Sequence, residues 1–251
     1  MKNRIIALTL AFAAASATAT AAGIFDNLKY QARLGYNLGG IAPVGMPATI
    51  RSLDSYTPKA TFTIGIDAYK PLAGRWGIMA GIHFENKGMK TDAKVKNYRM
   101  EMRQGGESIS GVFTGNVVTD AAEHMLTLPL QATFDLGKKV RLKFGPYFSY
   151  VMSANFSGHA YDGYLREGNP TGSKVELGHN EGERGDYDFS DQLRKWQFGL
   201  DLGADWYFSH RVGAYAGLTW GLSGAFKKDF KTIEQTMYPI FGTVGVTYKL
   251  K

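Results

Sequence analysis

The chain has 251 residues, with 29 Lys and Arg against 22 Asp and Glu and no cysteine. That length allows one large all-β domain or two small ones. The lack of cysteine excludes a disulfide framework and a lipid anchor on an N-terminal cysteine. The basic residues are scattered rather than striped, so no nucleic-acid partner is implied.

The chain opens with a targeting segment. Lys2 and Arg4 form a basic start, residues 5–15 an apolar run of 11 residues, and Ala19-Thr20-Ala21 a small-x-small cleavage pattern. The run is too short to cross a bilayer as a helix. Residues 1–21 therefore read as a cleaved signal peptide, with Ala21 the last residue removed. Residues 22–251 carry a formal charge near +5, the total of +7 less Lys2 and Arg4. Such an excess reads as a solvated surface. No later stretch approaches 18 consecutive apolar residues, so no transmembrane helix is expected. Strands of a membrane barrel are not excluded by this, because they give only alternate residues to lipid.

Eight stretches then alternate with a period of two, the mark of a strand with two unlike faces. They lie near residues 29–38, 60–70, 76–84, 124–136, 140–153, 193–206, 211–223 and 237–250. Their apolar parity carries, for example, Leu34 and Tyr36, Ile64 and Ile66, Ile78 and Ile82, and Leu126 to Phe134. Short links, "PLAGR", "GKK" and "YFSH", alternate with long ones at 39–59, 85–123, 154–192 and 224–236. An up-and-down outer-membrane barrel has this asymmetry, with tight periplasmic turns and long extracellular loops. The long links are rich in Gly, Asn, Asp, Glu and Lys, and are expected to be mobile. Deleting residues 160–187 is accordingly expected to spare the barrel.

Three features place the apolar parity outside. Ten glycines, among them Gly35, Gly65, Gly81 and Gly199, share the polar parity, where small residues make room inside a narrow barrel. Trp76, Trp196, Trp206 and Trp220, with Tyr248, lie on the apolar parity near strand ends, as an interfacial aromatic girdle requires. Arg33, Asp67, Arg141, Lys143, Lys195, Asp201 and Asp205 share the polar parity, where opposite charges can neutralise one another across a lumen. The expected fold is all-β: an eight-stranded antiparallel up-and-down transmembrane β-barrel with four long extracellular loops. Its interior should be filled, leaving no open diffusion channel.

Four stretches resemble the small outer-membrane β-barrel family of Bacteroidetes often called PorT-like. They are "GIMAGIHFENKGMK", "LTLPLQATFDLGKKVRLKFGPYFSYVMSA", "WQFGLDLGADWYF" and "GTVGVTYKLK". The resemblance covers essentially the whole mature chain and accommodates Pro129 and Pro146 within strands. It implies location and architecture, a place in the bacterial outer membrane; the length and polarity of the loops, separately, point to outer-membrane lipid, lipopolysaccharide and envelope proteins as partners. The family's eponymous member belongs to a secretion and gliding apparatus. One departure is the C-terminus, Leu250-Lys251, where many outer-membrane barrels end on an aromatic residue.

Chemistry is sparse. His83 with Glu85, His124 with Glu123, and Ser149 and Ser153 are the candidates for lipid-modifying catalysis. The His-x-Ser spacing of the lipid A deacylase type is absent. His159, His179, Asp162, Glu181 and Glu183 could build a metal site, but no close His-x-His pair occurs. "GLSGAF" does not open a helix, so it is no nucleotide loop. The expected function is a non-catalytic barrel without cofactor, anchoring surface loops for envelope or external partners. A secretion component, a lipid-modifying enzyme and a soluble lipocalin-like binder are the alternatives.

Overall fold

A computed structural model describes residues 26–250 apart from 46, 105, 106 and 234. The signal segment and its cut after Ala21 lie outside the described residues. Among the described residues eleven strands form one sheet: β1 (Lys29–Pro43), β2 (Ile50–Pro58), β3 (Phe62–Pro71), β4 (Trp76–Gln104), β5 (Glu107–Leu136), β6 (Val140–Glu167), β7 (Lys174–Leu177), β8 (Gly185–Asp188), β9 (Trp196–Tyr207), β10 (Val212–Gly221) and β11 (Met237–Lys249). Eight of them close a ring of antiparallel pairs: β1–β3–β4–β5–β6–β9–β10–β11 and back to β1. These are the eight strands legible as alternating stretches. The other three lie on the outside end, β2 against β4, β7 against β6, and β8 against both.

The pleat sorts side chains as the alternation requires. On β3, Phe62, Ile64 and Ile66 are exposed while Thr63 and Asp67 are buried. The three short turns lie at one end, at residues 72–75, 137–139 and 208–211. Gly137 has φ +69° in the β5–β6 turn, a left-handed geometry that glycine adopts without penalty. Pro129 removes one donor from β5. The β4–β5 register accordingly passes from Ala80↔Leu130 to His83↔Thr127 without the pairs between them.

The largest departure from expectation is at the other end. The segments 85–123 and 154–192 are not loose loops. β4, β5 and β6 have 29, 30 and 28 residues, roughly 90–100 Å of strand at ~3.3 Å per residue. An apolar band of about 25 Å uses less than half of that. The remainder continues as paired sheet: β4–β5 from Lys87↔Glu123 to Gln104↔Glu107, and β5–β6 from Glu123↔Ala154 to Gly111↔Glu167. This outer lobe has its own apolar core, including Met89, Val95, Met100, Phe113, Val117, Phe156, Leu165 and Phe189. Phe226 and Phe230 from the segment after β10 stack on each other, and Phe230 tilts onto Phe189. Residues 160–187 contribute Ala160, Leu165, Leu177 and Tyr187 to that core, so their deletion would open the lobe rather than trim a loop.

Candidate functional site

Within the membrane-level ring the lumen is packed with paired charges. Asp67 accepts hydrogen bonds from Arg33 Nε at 2.7 Å and Gln31 Nε2 at 3.2 Å, and its Oδ1 lies 2.8 Å from His83 Nε2. Lys143 pairs with Asp205, and the Tyr207 hydroxyl donates to Gln31 Oε1 at 2.7 Å. A second cluster lies toward the outer side. Lys87 Nζ is 2.8 Å from Glu85 Oε2, Thr127 donates to Glu85, and Gln197 donates to Glu123 Oε1 at 2.6 Å. Asp201 accepts from Thr219 at 2.9 Å. Toward the turn end, Arg141 is bidentate to Asp135 and its guanidinium lies 3.4 Å from the centre of the Tyr69 ring.

Glycines give these groups their space. A Cβ at Gly35 would strike the Tyr215 hydroxyl, and one at Gly65 the His83 ring. The space left between Arg33, His83, Glu85, Lys143 and Asp201 is about 40 Å³, room for about one water.

The lumen candidates Arg33, Asp67, Arg141, Lys143 and Asp205 are buried in these networks, and Asp201 is half-buried. Lys195 is the exception. It is exposed and precedes the first residue of β9. Alternation predicts a side only inside the paired pleat, and here the chain has just left the single turn of 3-10 helix at Ser190–Gln192. Ser153 likewise turns outward, because the β5–β6 register shifts between His124 and Met125. The girdle candidates point away from the lumen: Trp76 is 56% exposed, Trp196 69%, Trp206 54%, Trp220 43% and Tyr248 42%. Trp76 packs on Phe134 and Trp196 on Tyr150.

Two of the catalytic candidates, His83 and Ser149, are engaged elsewhere. His83 faces Asp67, which also pairs with Arg33, and Ser149 Oγ lies 2.8 Å from Thr127 Oγ1. His83 and Ser149 therefore form no nucleophile–base pair. In the outer lobe, His159 and His179 flank the Tyr161 ring at 5.7 and 5.1 Å between centroids. His179 Nδ1 is 3.0 Å from Asp162. Among the described residues no group of three or more His, Asp or Glu is placed to hold a metal. Burial, with Arg184 adding to it, lowers the His159 pKa. The Tyr161 hydroxyl donates to Asp92 Oδ2 at 2.6 Å, which pushes that phenol up to about 12.

The residues that alternation does not single out are those of a cavity inside the outer lobe. It measures about 370 Å³ and no charged side chain lines it. Ile41, Met89, Val95, Met100, Val117 and Phe156 supply most of its wall. The hydroxyls of Tyr187 and Thr119 are turned to the protein. Tyr187 donates to the Val118 carbonyl at 2.8 Å and lies 2.7 Å from Thr119 Oγ1. The sequence signal is a second alternation, Met89, Thr91, Ala93 and Val95 against Lys90, Asp92 and Lys94. Its sense is opposite to that in the membrane.

A closed ring of eight tilted strands, apolar outside and charged inside, defines a transmembrane β-barrel. Residues 15–227 match the family described as outer membrane protein beta-barrel domain. The chain belongs to that family, and its place is the bacterial outer membrane. Several solved structures are similar, among them the two that follow. OprG from Pseudomonas aeruginosa is 13% identical, over 88% of this chain and 95% of that one, with a TM-score of 0.39. Neisserial surface protein A is 12% identical, over 89% and 97%, with a TM-score of 0.32. No curated protein matches.

Proposed function

We propose that this protein is a non-catalytic outer-membrane anchor whose outer β-lobe is its binding part. One observation carries the reading: the chain spends the outer halves of its three longest strands on a sheet with its own apolar core. The ring needs none of that length to cross lipid. An ordered, hollow lobe presents shape to a ligand or an envelope partner, while the charge-filled lumen beneath it holds the barrel shut. The paired states of His83 and Ser149 favour this over lipid-modifying catalysis. Export by a signal peptide cut after Ala21, and the narrower PorT-like kinship, complete the reading; nothing in the lobe favours a secretion apparatus over other envelope partners.

The test shortens the lobe where its strands already meet. Lys90 is paired with Asp120, and Ser157 with Asp188. Replacing the residues between each pair by a tight turn should keep the heat-modifiable gel migration of a closed barrel. Photocrosslinkers on the outer membrane face of the native chain should capture a partner that the shortened chain does not. Equal capture by both would overturn the reading.

A further inference from the structure

The lobe cavity ends at an incomplete wall. Below it, the floor is sealed at Asn37, which accepts from Thr63 and Thr243 through its side chain and donates to the Asn86 carbonyl. Phe241, paired with Gly39 one step outward of that floor, and Lys87 close the way to the lumen with it, the Lys87 ammonium 5.5 Å from the ring centre. The cavity is therefore blind on the periplasmic side.

The side wall between β1 and β2 is different. The ladder between β1 and β3 stops at Gly35↔Thr63, and β2 pairs with β4. From residue 39 to residue 43, β1 is paired along one edge, to β11. Side chains bridge the seam in place of a ladder. The Tyr56 hydroxyl accepts from the Gly39 N–H at 3.0 Å and donates to the Gly39 carbonyl at 2.9 Å. The Tyr36 hydroxyl donates to the Lys59 carbonyl at 3.0 Å. Gly39 has φ +146°, and a Cβ there would meet the Ile240 carbonyl, so the bend that starts the seam requires glycine.

The seam stands at the top of the lipid-facing stripe. Tyr30, Leu34, Tyr36 and Leu38 run up the outside of β1 and are all exposed, as are Leu53 and Tyr56 of β2. Leu53 and Tyr56 also line the cavity. An apolar surface thus runs from the hydrocarbon band, across the seam, into an uncharged chamber. We propose that the chamber takes one hydrocarbon chain of an outer-leaflet amphiphile, which enters sideways between β1 and β2.

The chemistry of the wall supports that occupant. Its volume is near the low end of small-molecule sites, about 300–1,000 Å³, which suits a single chain. Met89, Met100 and Met237 give it adaptable sides. It offers no charge to a headgroup, which would stay at the seam in water. Its lining is mostly apolar, so hydrocarbon entering it displaces little strongly bound water.

This inference rests on the lobe as the binding part, yet its test is independent of protein capture. The full chain is placed in vesicles of phosphatidylethanolamine and phosphatidylglycerol doped with a phospholipid bearing a diazirine at the end of one acyl chain. After photolysis, adducts are mapped by mass spectrometry. Adducts are expected on lipid-facing Ile82 and Leu128, and also on Met89, Val95 or Met100 inside the lobe. Ala93 lines the chamber. Ala93→Trp should cut the internal adducts at least about tenfold and leave the external ones unchanged. Val95→Phe is the milder filler, should the first variant lose heat-modifiable migration. Tyr56→Phe removes both bonds to Gly39 and should raise internal labelling. Labelling confined to the lipid face, or internal labelling indifferent to Ala93→Trp and Val95→Phe, would overturn the proposal. So would internal labelling obtained only with a free diazirine fatty acid supplied from water.

Discussion

Asp67 shows how the interior is held. It is buried, paired with Arg33, and faced by Gln31 and His83. Its replacement by alanine would leave a buried guanidinium without its counter-charge, and the cost of breaking such a pair from one side is about 3–5 kcal/mol. Asp67→Ala should therefore lower the temperature at which the folded gel band converts to the unfolded one. Asp67→Asn should lower it less, because an amide oxygen still accepts from Arg33. The double variant Arg33→Met with Asp67→Leu should recover much of the loss, since removing both charges removes the stranded one. Thermal conversion of the four proteins in one detergent checks the order. A single Asp67→Ala variant as stable as its parent would mean that the network fills space without bearing stability.

The strands themselves carry two codes in series, which explains what the sequence reveals and what it conceals. In β4, odd-numbered residues face inward throughout the lower part. Among them His83, Glu85 and Lys87 are polar, whereas Met89, Ala93 and Val95 above them are apolar. Even-numbered residues do the reverse, from Ile78, Ile82 and Phe84 to Lys90 and Lys94. The solvent outside changes from lipid to water at that level, so the same pleat must invert its chemistry. A reading that follows one apolar parity ends the strand near Glu85, although the alternation goes on. Irregularities hide the rest: a register shift between Val95 and Tyr98, and others on β5 and β6. The eight ring strands, the outward side of the four tryptophans and the inward side of most of the charged candidates were legible because each lies wholly within one code. The lobe cavity was not, because its wall draws on β1, β2, β4, β5 and β6 across sequence separations that no local period reports.

The lobe should also respond to pH separately from the ring. The folded-state pKa of His159 is depressed by burial below its ordinary 6.5. The folded lobe then binds fewer protons than the unfolded one, so its stability is full above pH 6.5 and falls as the pH drops through and below that value. The imidazole is partly exposed, and the effect is modest. Limited proteolysis between β6 and β8 should quicken between pH 7 and pH 5, with the gel migration of the barrel unchanged. His159→Gln should abolish the acceleration.

At the scale of the whole molecule, two closures lie in line along the barrel axis. The lower one is polar: the paired charges leave about 40 Å³, and eight strands enclose an interior that side chains just fill. The upper one is apolar: the lobe's core and uncharged chamber sit over the outer mouth. An ion that passed the first would have to shed its hydration to enter the second. The order of the closures makes their separate strengths measurable. In planar bilayers the native chain should give no steady single-channel conductance. The chain shortened at Lys90↔Asp120 and Ser157↔Asp188 loses the apolar closure and keeps the polar one, so it should be silent as well. Were the shortened chain to conduct while the native chain did not, the lobe would be the seal and the lumen charges a lining through which ions pass. Silence from both, with folded migration retained, assigns the seal to Arg33, Asp67, Lys143, Asp205 and their neighbours, and frees the lobe for binding.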